Sequence, residues 1–301
     1  MLDSPVMPTR RTFLEAAALA SAGAIAPMSH AAPPRYKMGL QLFTIRDAMA
    51  RDVAGTLKRI AALGYQEVET YGFDPEGIGY YKMPARDFAQ RLRDNGLTSP
   101  SGHYDLNRFA TASDADLDRY VDRCIEGARL VGHHYITWPF LDEPLRPLDS
   151  FTRIVARFNR IGERIAAGGL QFAYHNHGFE FVEQNGRIPY DIVLHDTDPK
   201  LVKLQIDLYW LSHDSKQPPR YWFEKAKGRY EMWHVKDMHK VSRDYTELGN
   251  GTIDYPAIWP DAALSGMKHF FVEQGGNFAR DSMQSVTDGA AYVKRYLLPP
   301  P

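Results

Sequence analysis

The chain has 301 residues, enough for one large domain or two small ones with a full hydrophobic core. Its 36 lysines and arginines offset 37 aspartates and glutamates, and the resulting net charge of −1 argues against a nucleic-acid-binding protein. A hydrophobic content of 44% and a charged content of 24% exclude a disordered or fibrous chain, and the single cysteine, Cys124, excludes a disulfide framework and a cysteine-based zinc site.

The N-terminal residues have the order of a bacterial export signal. An arginine pair at positions 10–11 is followed by Phe-Leu and an alanine-rich apolar run, which ends in small residues at 31–32. This order resembles a twin-arginine signal, which implies the twin-arginine translocation machinery as a partner and an exported or periplasmic protein. We therefore predict a signal peptide over residues 1–31 and a mature domain over residues 32–301.

An N-terminal amphipathic helix or a membrane anchor is the alternative for this segment. The apolar run is short for a membrane span, and no other stretch of the sequence approaches about 18 apolar residues. The sequence therefore predicts no stable insertion of the mature protein into a membrane.

Strand-like and helix-like segments alternate along the mature domain. The predicted strands cover residues 37–45, 67–71, 97–104, 135–138, 170–175, 202–207, 230–236 and 269–273. The predicted helices cover residues 53–63, 85–94, 114–130, 150–167, 189–194, 220–227, 255–264 and 285–297, with Ser150 as the N-cap of the fourth helix and glycines ending it at 168–169.

Eight strand–helix units of this length predict an α/β fold, a single-domain (β/α)8 barrel. An open doubly wound sheet is the alternative, but no glycine-rich phosphate turn follows the first strand. A barrel places its chemistry at the C-terminal ends of the strands, so polar side chains at those positions are the candidates for a site.

Four such side chains follow four successive strands. Strand five runs into a loop that contains Glu180, strand six ends at Asp207, strand seven contains His234, and strand eight ends at Glu273. Each one alone is explained as a helix cap or a core histidine, whereas together they predict one divalent ion, with Mn²⁺, Co²⁺, Mg²⁺ and Zn²⁺ as candidates.

The chain resembles the xylose isomerase-like barrel superfamily, in the branch of sugar phosphate isomerases and epimerases. The segments that carry the resemblance are GLQLFTIRD, GYQEVETYG, FAYHNHGFEF, LQIDLYWL, WHVKDM, LGNGTIDY and FFVEQ, which begin at residues 39, 64, 172, 204, 233, 248 and 270. They span nearly all of the mature chain. The resemblance implies one divalent metal at the barrel mouth, held by a residue of strand five or its loop together with Asp207, His234 and Glu273.

One position departs from the family pattern. Many relatives carry Glu-Asn-His-Gly at the end of strand five, where this chain has His175 in place of the glutamate. Either Glu180 or His175 is then the first metal ligand. The histidine weakens the case for epimerisation by two facing carboxylates and leaves metal-assisted proton abstraction beside a carbonyl, with Glu273 or His177 as base and the other as acid.

The remaining assignments are to substrate contacts. Lys236 is predicted to neutralise an oxyanion, with a strand-end salt bridge to Asp237 as the alternative. The residues predicted to be catalytic are Glu273, His177, Lys236 and Glu180, and those predicted to bind substrate are His103, Trp138, Asn176 and Tyr209.

These residues predict a metal-dependent isomerase or epimerase that acts on a non-phosphorylated sugar, keto-sugar or polyol through an enediolate. No arginine cluster or P-loop marks a phosphate pocket, and an exported enzyme meets free sugars. A metal-dependent lyase or dehydratase, including one that cleaves a 3-keto-glycoside, is the first alternative, and an inactive exported sugar-binding module is the second. An endonuclease relative ranks last, and homo-oligomerisation is left open.

Overall fold

The computed structural model describes residues 36–299, so the signal peptide predicted for residues 1–31 lies outside the described part. Eight parallel strands close into a barrel in the order β1-β8-β7-β6-β5-β4-β3-β2, which confirms the predicted (β/α)8 fold. The strands are β1 (Met38–Gln41), β2 (Glu67–Thr70), β3 (Thr98–His103), β4 (Tyr135–Trp138), β5 (Gln171–His175), β6 (Val202–Asp207), β7 (Met232–Val235) and β8 (His269–Val272).

Helices surround this barrel. Within residues 36–299 they are α1 (Arg46–Arg51), α2 (Val53–Ala62), α3 (Ala85–Asp94), α4 (Asp114–Val131), α5 (Leu148–Val155), α6 (Phe158–Ala167), α7 (Pro189–Asp196), α8 (Leu208–Asp214), α9 (Pro219–Lys225), α10 (Tyr255–Ile258), α11 (Ala262–Ser265) and α12 (Ser282–Tyr292), which continues as a π-helical turn over Val293–Leu297. None of the helices in this range combines the length and apolar character that crossing a membrane requires.

Each strand alternates between two buried faces. In β7, Trp233 and Val235 belong to the large core between barrel and helices, whereas Met232 packs inside the barrel with Phe271 of β8. The next inward position of β7 is His234, nearer the C-terminal end. The inner face therefore changes from apolar to polar toward the barrel mouth, where the candidate site residues lie.

Several predicted elements differ in the structure, among them the helix predicted over residues 255–264, which is divided into α10 and α11 by a 3₁₀ turn over Trp259–Asp261. The strand predicted over residues 37–45 stops at Gln41, because the Gln41 side chain accepts a hydrogen bond from the Phe43 backbone and starts a 3₁₀ turn over Leu42–Ile45. The single helix predicted to begin after Ser150 is two helices, α5 and α6. The first of them, α5, begins at Leu148, directly after Pro147. Proline at the N-cap fixes an extended backbone there, so Ser150 lies inside the first turn.

Helix α8 was missing from the predicted elements. Asp207 caps its N-terminus, since Oδ1 of Asp207 accepts hydrogen bonds from the backbone nitrogens of Tyr209 and Trp210. Asp207, predicted as a metal ligand with a helix cap as the alternative, therefore ends β6 and starts a helix. Its second carboxylate oxygen, Oδ2, is left to face the side chains of β5 and β7.

Candidate active site and metal centre

A cavity of about 470 Å³ opens at the C-terminal ends of the strands. Aromatic side chains form one wall, and the polar lining is His103, Asp105, His175, His177, Lys236 and Glu273. The aromatic residues of the lining are Phe43, Tyr71, Phe73 and Phe140. An apolar wall facing a few convergent polar groups is the usual form of a small-molecule site.

A chain of opposite charges lies at the base of this cavity. The ammonium of Lys236 lies 2.6 Å from Oδ2 of Asp207 and 2.8 Å from Oε2 of Glu273. Nδ1 of His234 lies 2.6 Å from the same Glu273 oxygen. Lys236 therefore pairs with these two carboxylates and not with Asp237, the alternative partner in the sequence.

The pKa values of these groups follow from their neighbours. Burial opposes ionisation of Glu273, yet the charges of Lys236 and His234 hold its pKa well below the ordinary value. Burial also opposes the charge on His234, but the carboxylates of Glu69 and Glu273 raise its pKa to about 9. For Lys236 the pKa rises because Asp207 and Glu273 outweigh burial.

The donor atoms in this region are close enough to share an ion. One ligand atom each from Asp207, His234 and Glu273 lie within 4.8 Å of one another, as do atoms of His103, His175 and His234. Nε2 of His175 lies 3.5 Å from Oδ2 of Asp207, which connects the two groups. Imidazole nitrogens and carboxylate oxygens are a donor set that fits a divalent transition metal.

Glu69 was missed by the sequence reasoning, although it lies at the centre of this network. It is fully buried in β2, and its carboxylate contacts His234 Nε2 at 2.6 Å and His103 Nε2 at 3.0 Å. Gln41 and Gln205 donate to it as well, each at 2.7 Å. The signal available in the sequence was a glutamate at the centre of the predicted strand EVETY, since a carboxylate that is buried in a barrel strand needs hydrogen-bond partners.

Glu180 does not join the metal-ligating groups as predicted. It is fully buried, and its carboxylate accepts hydrogen bonds from the Tyr174 hydroxyl at 2.7 Å and the His177 backbone nitrogen at 3.0 Å. These bonds hold it in the 3₁₀ turn Phe179–Phe181, and burial raises its pKa to about 7. His175, the other candidate for the first ligand, occupies the position beside Asp207 instead.

Of the other predicted catalytic residues, His177 lines the cavity. Among residues 36–299, its Nδ1 is buried and has no hydrogen-bond partner. Burial lowers its pKa well below the ordinary value, and the charge of Lys236 adds to this shift. The ring is therefore neutral, and its Nδ1 has no hydrogen-bond partner among the described residues.

Of the four residues predicted to bind substrate, His103 lines the cavity and the other three lie in the surrounding packing. Trp138 packs against Phe158 and donates its indole hydrogen to the Phe140 carbonyl at 2.8 Å. The Tyr209 hydroxyl donates to the Arg243 carbonyl at 2.9 Å.

Asn176 is also directed into the fold. Its Oδ1 accepts a hydrogen bond from the Asp207 backbone at 3.0 Å, which ties the end of β5 to the end of β6. Trp138, Asn176 and Tyr209 are therefore buried in the packing around the site, and their role in substrate binding stays a prediction. Aromatic and amide side chains at strand ends are used here to fix the loops that carry the site.

Comparison with known proteins gives one family and several related structures. A profile of the xylose isomerase-like TIM barrel family matches residues 57–282. An inosose dehydratase from Lacticaseibacillus casei is 27% identical over 144 residues, which is 42% of this chain and 47% of the relative, so this chain spans about half the length of that relative.

Among solved structures, a sugar phosphate isomerase/epimerase from Parabacteroides distasonis has 26% identity and a TM-score of 0.76, and the match covers 89% of this chain and 96% of that chain. The IOLI protein with a binding zinc atom has 15% identity and a TM-score of 0.63, over 86% of this chain and 99% of that chain. The second likeness shows the fold alone.

Proposed function

Because the chain belongs to the xylose isomerase-like TIM barrel family, we propose that it is a metal-dependent isomerase or epimerase of a non-phosphorylated sugar, keto-sugar or polyol. The observation that carries the proposal is the meeting of four donor side chains at the ends of β5 to β8, beside a cavity. These side chains are His175, Asp207, His234 and Glu273.

The four side chains are proposed to hold one divalent ion. Two imidazoles and two carboxylates are compatible with Mn²⁺, Co²⁺, Zn²⁺ and Mg²⁺. Once bound, the ion supplies a Lewis acid that polarises the substrate carbonyl. The zinc atom of the IOLI protein supports the proposal of a divalent ion, since that protein has the same fold.

The protein side chains supply the proton transfer and the charge. Glu273 is engaged by Lys236 and His234, which leaves the neutral ring of His177 as the base that removes a proton from the carbon next to the carbonyl. The electron pair of that C–H bond moves into an enediolate, whose negative charge the Lys236 ammonium stabilises. Return of the proton to the neighbouring carbon, with transfer of the hydroxyl proton to the former carbonyl oxygen, gives isomerisation. Protonation of the original carbon from the opposite face by a water molecule gives epimerisation, with the abstracted proton released from His177 to solvent.

A lyase or dehydratase is the second candidate, and two observations favour it. The inosose dehydratase relative matches part of the chain, and His175 removes one of the two carboxylates that a facing-carboxylate epimerase uses. In this reaction the same enediolate expels the hydroxyl group of the next carbon as water, after an acid protonates that hydroxyl. Cleavage of a 3-keto-glycoside follows the same course, with the glycosidic oxygen as the leaving group.

We also propose that the substrate carries no phosphate. Among the described residues that line the cavity, Lys236 is the single lysine or arginine. A phosphate group needs several free donors, usually backbone nitrogens together with arginine or lysine. Export of the protein, proposed from the residues at 10–32 alone, agrees with a free sugar as substrate.

The test is a screen of free and keto-sugars, with phosphorylated sugars as controls, using protein loaded with each of the four ions. The reactions run in deuterium oxide, and both isomerised and dehydrated products are measured. Deuterium at a single carbon of recovered sugar supports proton abstraction, and loss of water identifies the lyase. Sugar binding without deuterium exchange and without a bound ion contradicts the proposal and identifies a binding module.

A further inference from the structure

We propose that Glu69 is a positioning residue that selects which ring nitrogens of His175 and His234 are free to bind the ion. The inference rests on the proposed metal centre and adds to it a residue that holds the ligands from below. Glu69 lies inside the barrel on β2, and its side chain is fully buried. Among the described residues that line the cavity, His103 is in contact with its carboxylate.

The first step concerns His234. Glu69 receives hydrogen bonds from the amide nitrogens of Gln41 and Gln205, so its carboxylate acts as an acceptor. His234 Nε2 lies 2.6 Å from this carboxylate and must therefore carry a hydrogen. Nδ1 lies 2.6 Å from Oε2 of Glu273 and also carries a hydrogen when no ion is present. Because Glu273 is itself a proposed ligand and Glu69 is not, the hydrogen on Nδ1 is the one that an ion between these two side chains replaces.

The second step passes through Gln205 to His175. Because Nε2 of Gln205 donates to Glu69, its Oε1 points the other way and acts as an acceptor. Nδ1 of His175 lies 2.9 Å from this oxygen and therefore carries the hydrogen. The lone pair of His175 is placed on Nε2, which lies 3.5 Å from Oδ2 of Asp207.

The same network excludes His103 from the ligand set. Its Nε2 lies 2.8 Å from Oε1 of Gln205, and its Nδ1 lies 3.3 Å from the amide nitrogen of Gln41. Both ring nitrogens thus have partners of the correct type, one acceptor and one donor. His103 instead stacks on His234, with ring centroids 5.3 Å apart and planes at 14°.

One buried carboxylate therefore distinguishes three neighbouring histidines. It directs Nδ1 of His234 and Nε2 of His175 toward the carboxylates of Asp207 and Glu273, and it leaves His103 as part of the support. This arrangement gives the proposed metal centre two imidazole ligands. His175 then supplies the fourth ligand, while Glu180 is held in its own 3₁₀ turn.

The experiment begins with the unaltered chain loaded with Zn²⁺, whose histidine rings are examined by ¹⁵N NMR. We expect coordination through Nδ1 of His234 and Nε2 of His175, and His103 without a bond to the ion. The reverse nitrogens, or coordination by His103, overturn the inference. No bound zinc in the unaltered chain contradicts the metal centre itself, which separates failure of the proposed function from failure of this inference.

The variant Glu69→Gln then measures the contribution of the carboxylate. Loss of a hydrogen-bond partner behind a metal ligand lowers affinity by about 10–100-fold, and we expect this loss in competition with a zinc chelator. The matched control is Glu67→Gln. Glu67 lies two residues earlier on the same face of β2, and its carboxylate accepts a bond from His269 Nδ1 at 2.7 Å, away from the site. Equal zinc affinity of Glu69→Gln and the unaltered chain overturns the inference.

A second variant tests the inference in case Glu69→Gln does not fold. Gln205→Met removes the link to His175 and keeps the contact between Glu69 and His234. We expect this variant to bind zinc more weakly, with His234 still coordinated through Nδ1. In NMR spectra of the zinc-free variant, we expect the hydrogen of the His175 ring to be distributed between Nδ1 and Nε2. An unchanged His175 ring in this variant contradicts the second step.

Discussion

The ammonium of Lys236 lies 2.6 Å from Oδ2 of Asp207, between two carboxylates that we assign to the metal. Its distance to Glu273 is 2.8 Å, so one ammonium pairs with both carboxylates. A divalent ion and this ammonium attract the same oxygens. Lys236 therefore limits how tightly the centre binds its metal.

We predict that Lys236→Met increases the affinity for Zn²⁺ by about tenfold or more, because a buried charge pair no longer has to be broken. Without the ion, the variant is expected to be less stable than the unaltered chain, since two buried carboxylates lose their cation. Competition with a chelator measures the affinity, and thermal unfolding with and without zinc measures the stability.

The control for this prediction is Lys203→Met. The ammonium of Lys203 lies 3.4 Å from the carboxylate of Glu231, and this ion pair includes none of the proposed metal ligands. Loss of the Lys203 charge should therefore leave zinc affinity unchanged. Weaker zinc binding by Lys236→Met would show that Lys236 orients the ligands and does not compete with the ion.

Much of the fold was predictable because the strands are short apolar runs in a regular order. The eight strands and their closure into a barrel were confirmed, and so was the meeting of Asp207, His234 and Glu273. Each of these three residues stands at or next to the end of a strand. That position is readable in the sequence, and the barrel brings all such positions together.

The inside of the barrel was harder to predict. Strands of a parallel barrel are buried on both faces, so the sequence does not reveal which side of β2 carries Glu69. For a residue that follows the end of a strand, the sequence also does not show in which direction the side chain points. Asn176 and Tyr209 turn into the fold because of hydrogen bonds to backbone atoms 31 and 34 residues away, which no local pattern records.

Substitution of His177 should separate catalysis from metal binding. The ring lines the cavity, and its Nδ1 has no protein partner within residues 36–299, so His177→Gln removes the proposed base without disturbing a ligand. We expect kcat to fall by about 10²–10⁴-fold, the usual contribution of a general base, with zinc content unchanged.

The matched control is His195→Gln on the outer face of α7, where the ring bonds to the Asp191 carbonyl. This variant should keep full activity. A His177→Gln enzyme that retains its kcat would assign the base role to another residue, and loss of zinc would place His177 among the ligands.

Glu180 predicts a pH dependence of stability. Burial raises its pKa to about 7 from an ordinary value of 4.5, so the unfolded chain ionises at a lower pH than the folded one. The folded state binds more protons between these values, and its stability therefore falls as pH rises through this window. The loss contributed by this group is about 3 kcal/mol.

Glu180→Gln should remove this part of the pH dependence. The free energy of unfolding in urea, measured at pH 5 and pH 8, is expected to fall less in the variant than in the unaltered chain. Glu183→Gln, on an exposed side chain three residues later, serves as the control and should follow the unaltered chain. Parallel curves for all three proteins would show that Glu180 ionises normally in the fold.

Asp237 follows Lys236 in the sequence and has a structural role. Its Oδ2 accepts hydrogen bonds from the backbone nitrogens of Gly249 at 2.9 Å and Gly251 at 3.1 Å, and its Oδ1 accepts one from Ile253 at 3.1 Å. The turn at 249–251 is thus folded around one buried carboxylate.

We predict that Asp237→Asn lowers the free energy of unfolding by about 2–4 kcal/mol, because an amide nitrogen then faces backbone N–H groups and leaves them unsatisfied. Urea unfolding measures the loss. Asp244→Asn is the control, since Asp244 is exposed and its carboxylate accepts a bond from the adjacent Tyr245 nitrogen at 2.9 Å. Zinc affinity should change little in Asp237→Asn, because Lys236 is held from its other side by the Tyr255 hydroxyl, which accepts a bond from its backbone nitrogen at 2.8 Å. A stability equal to that of Asp244→Asn would mean that the turn does not depend on the carboxylate.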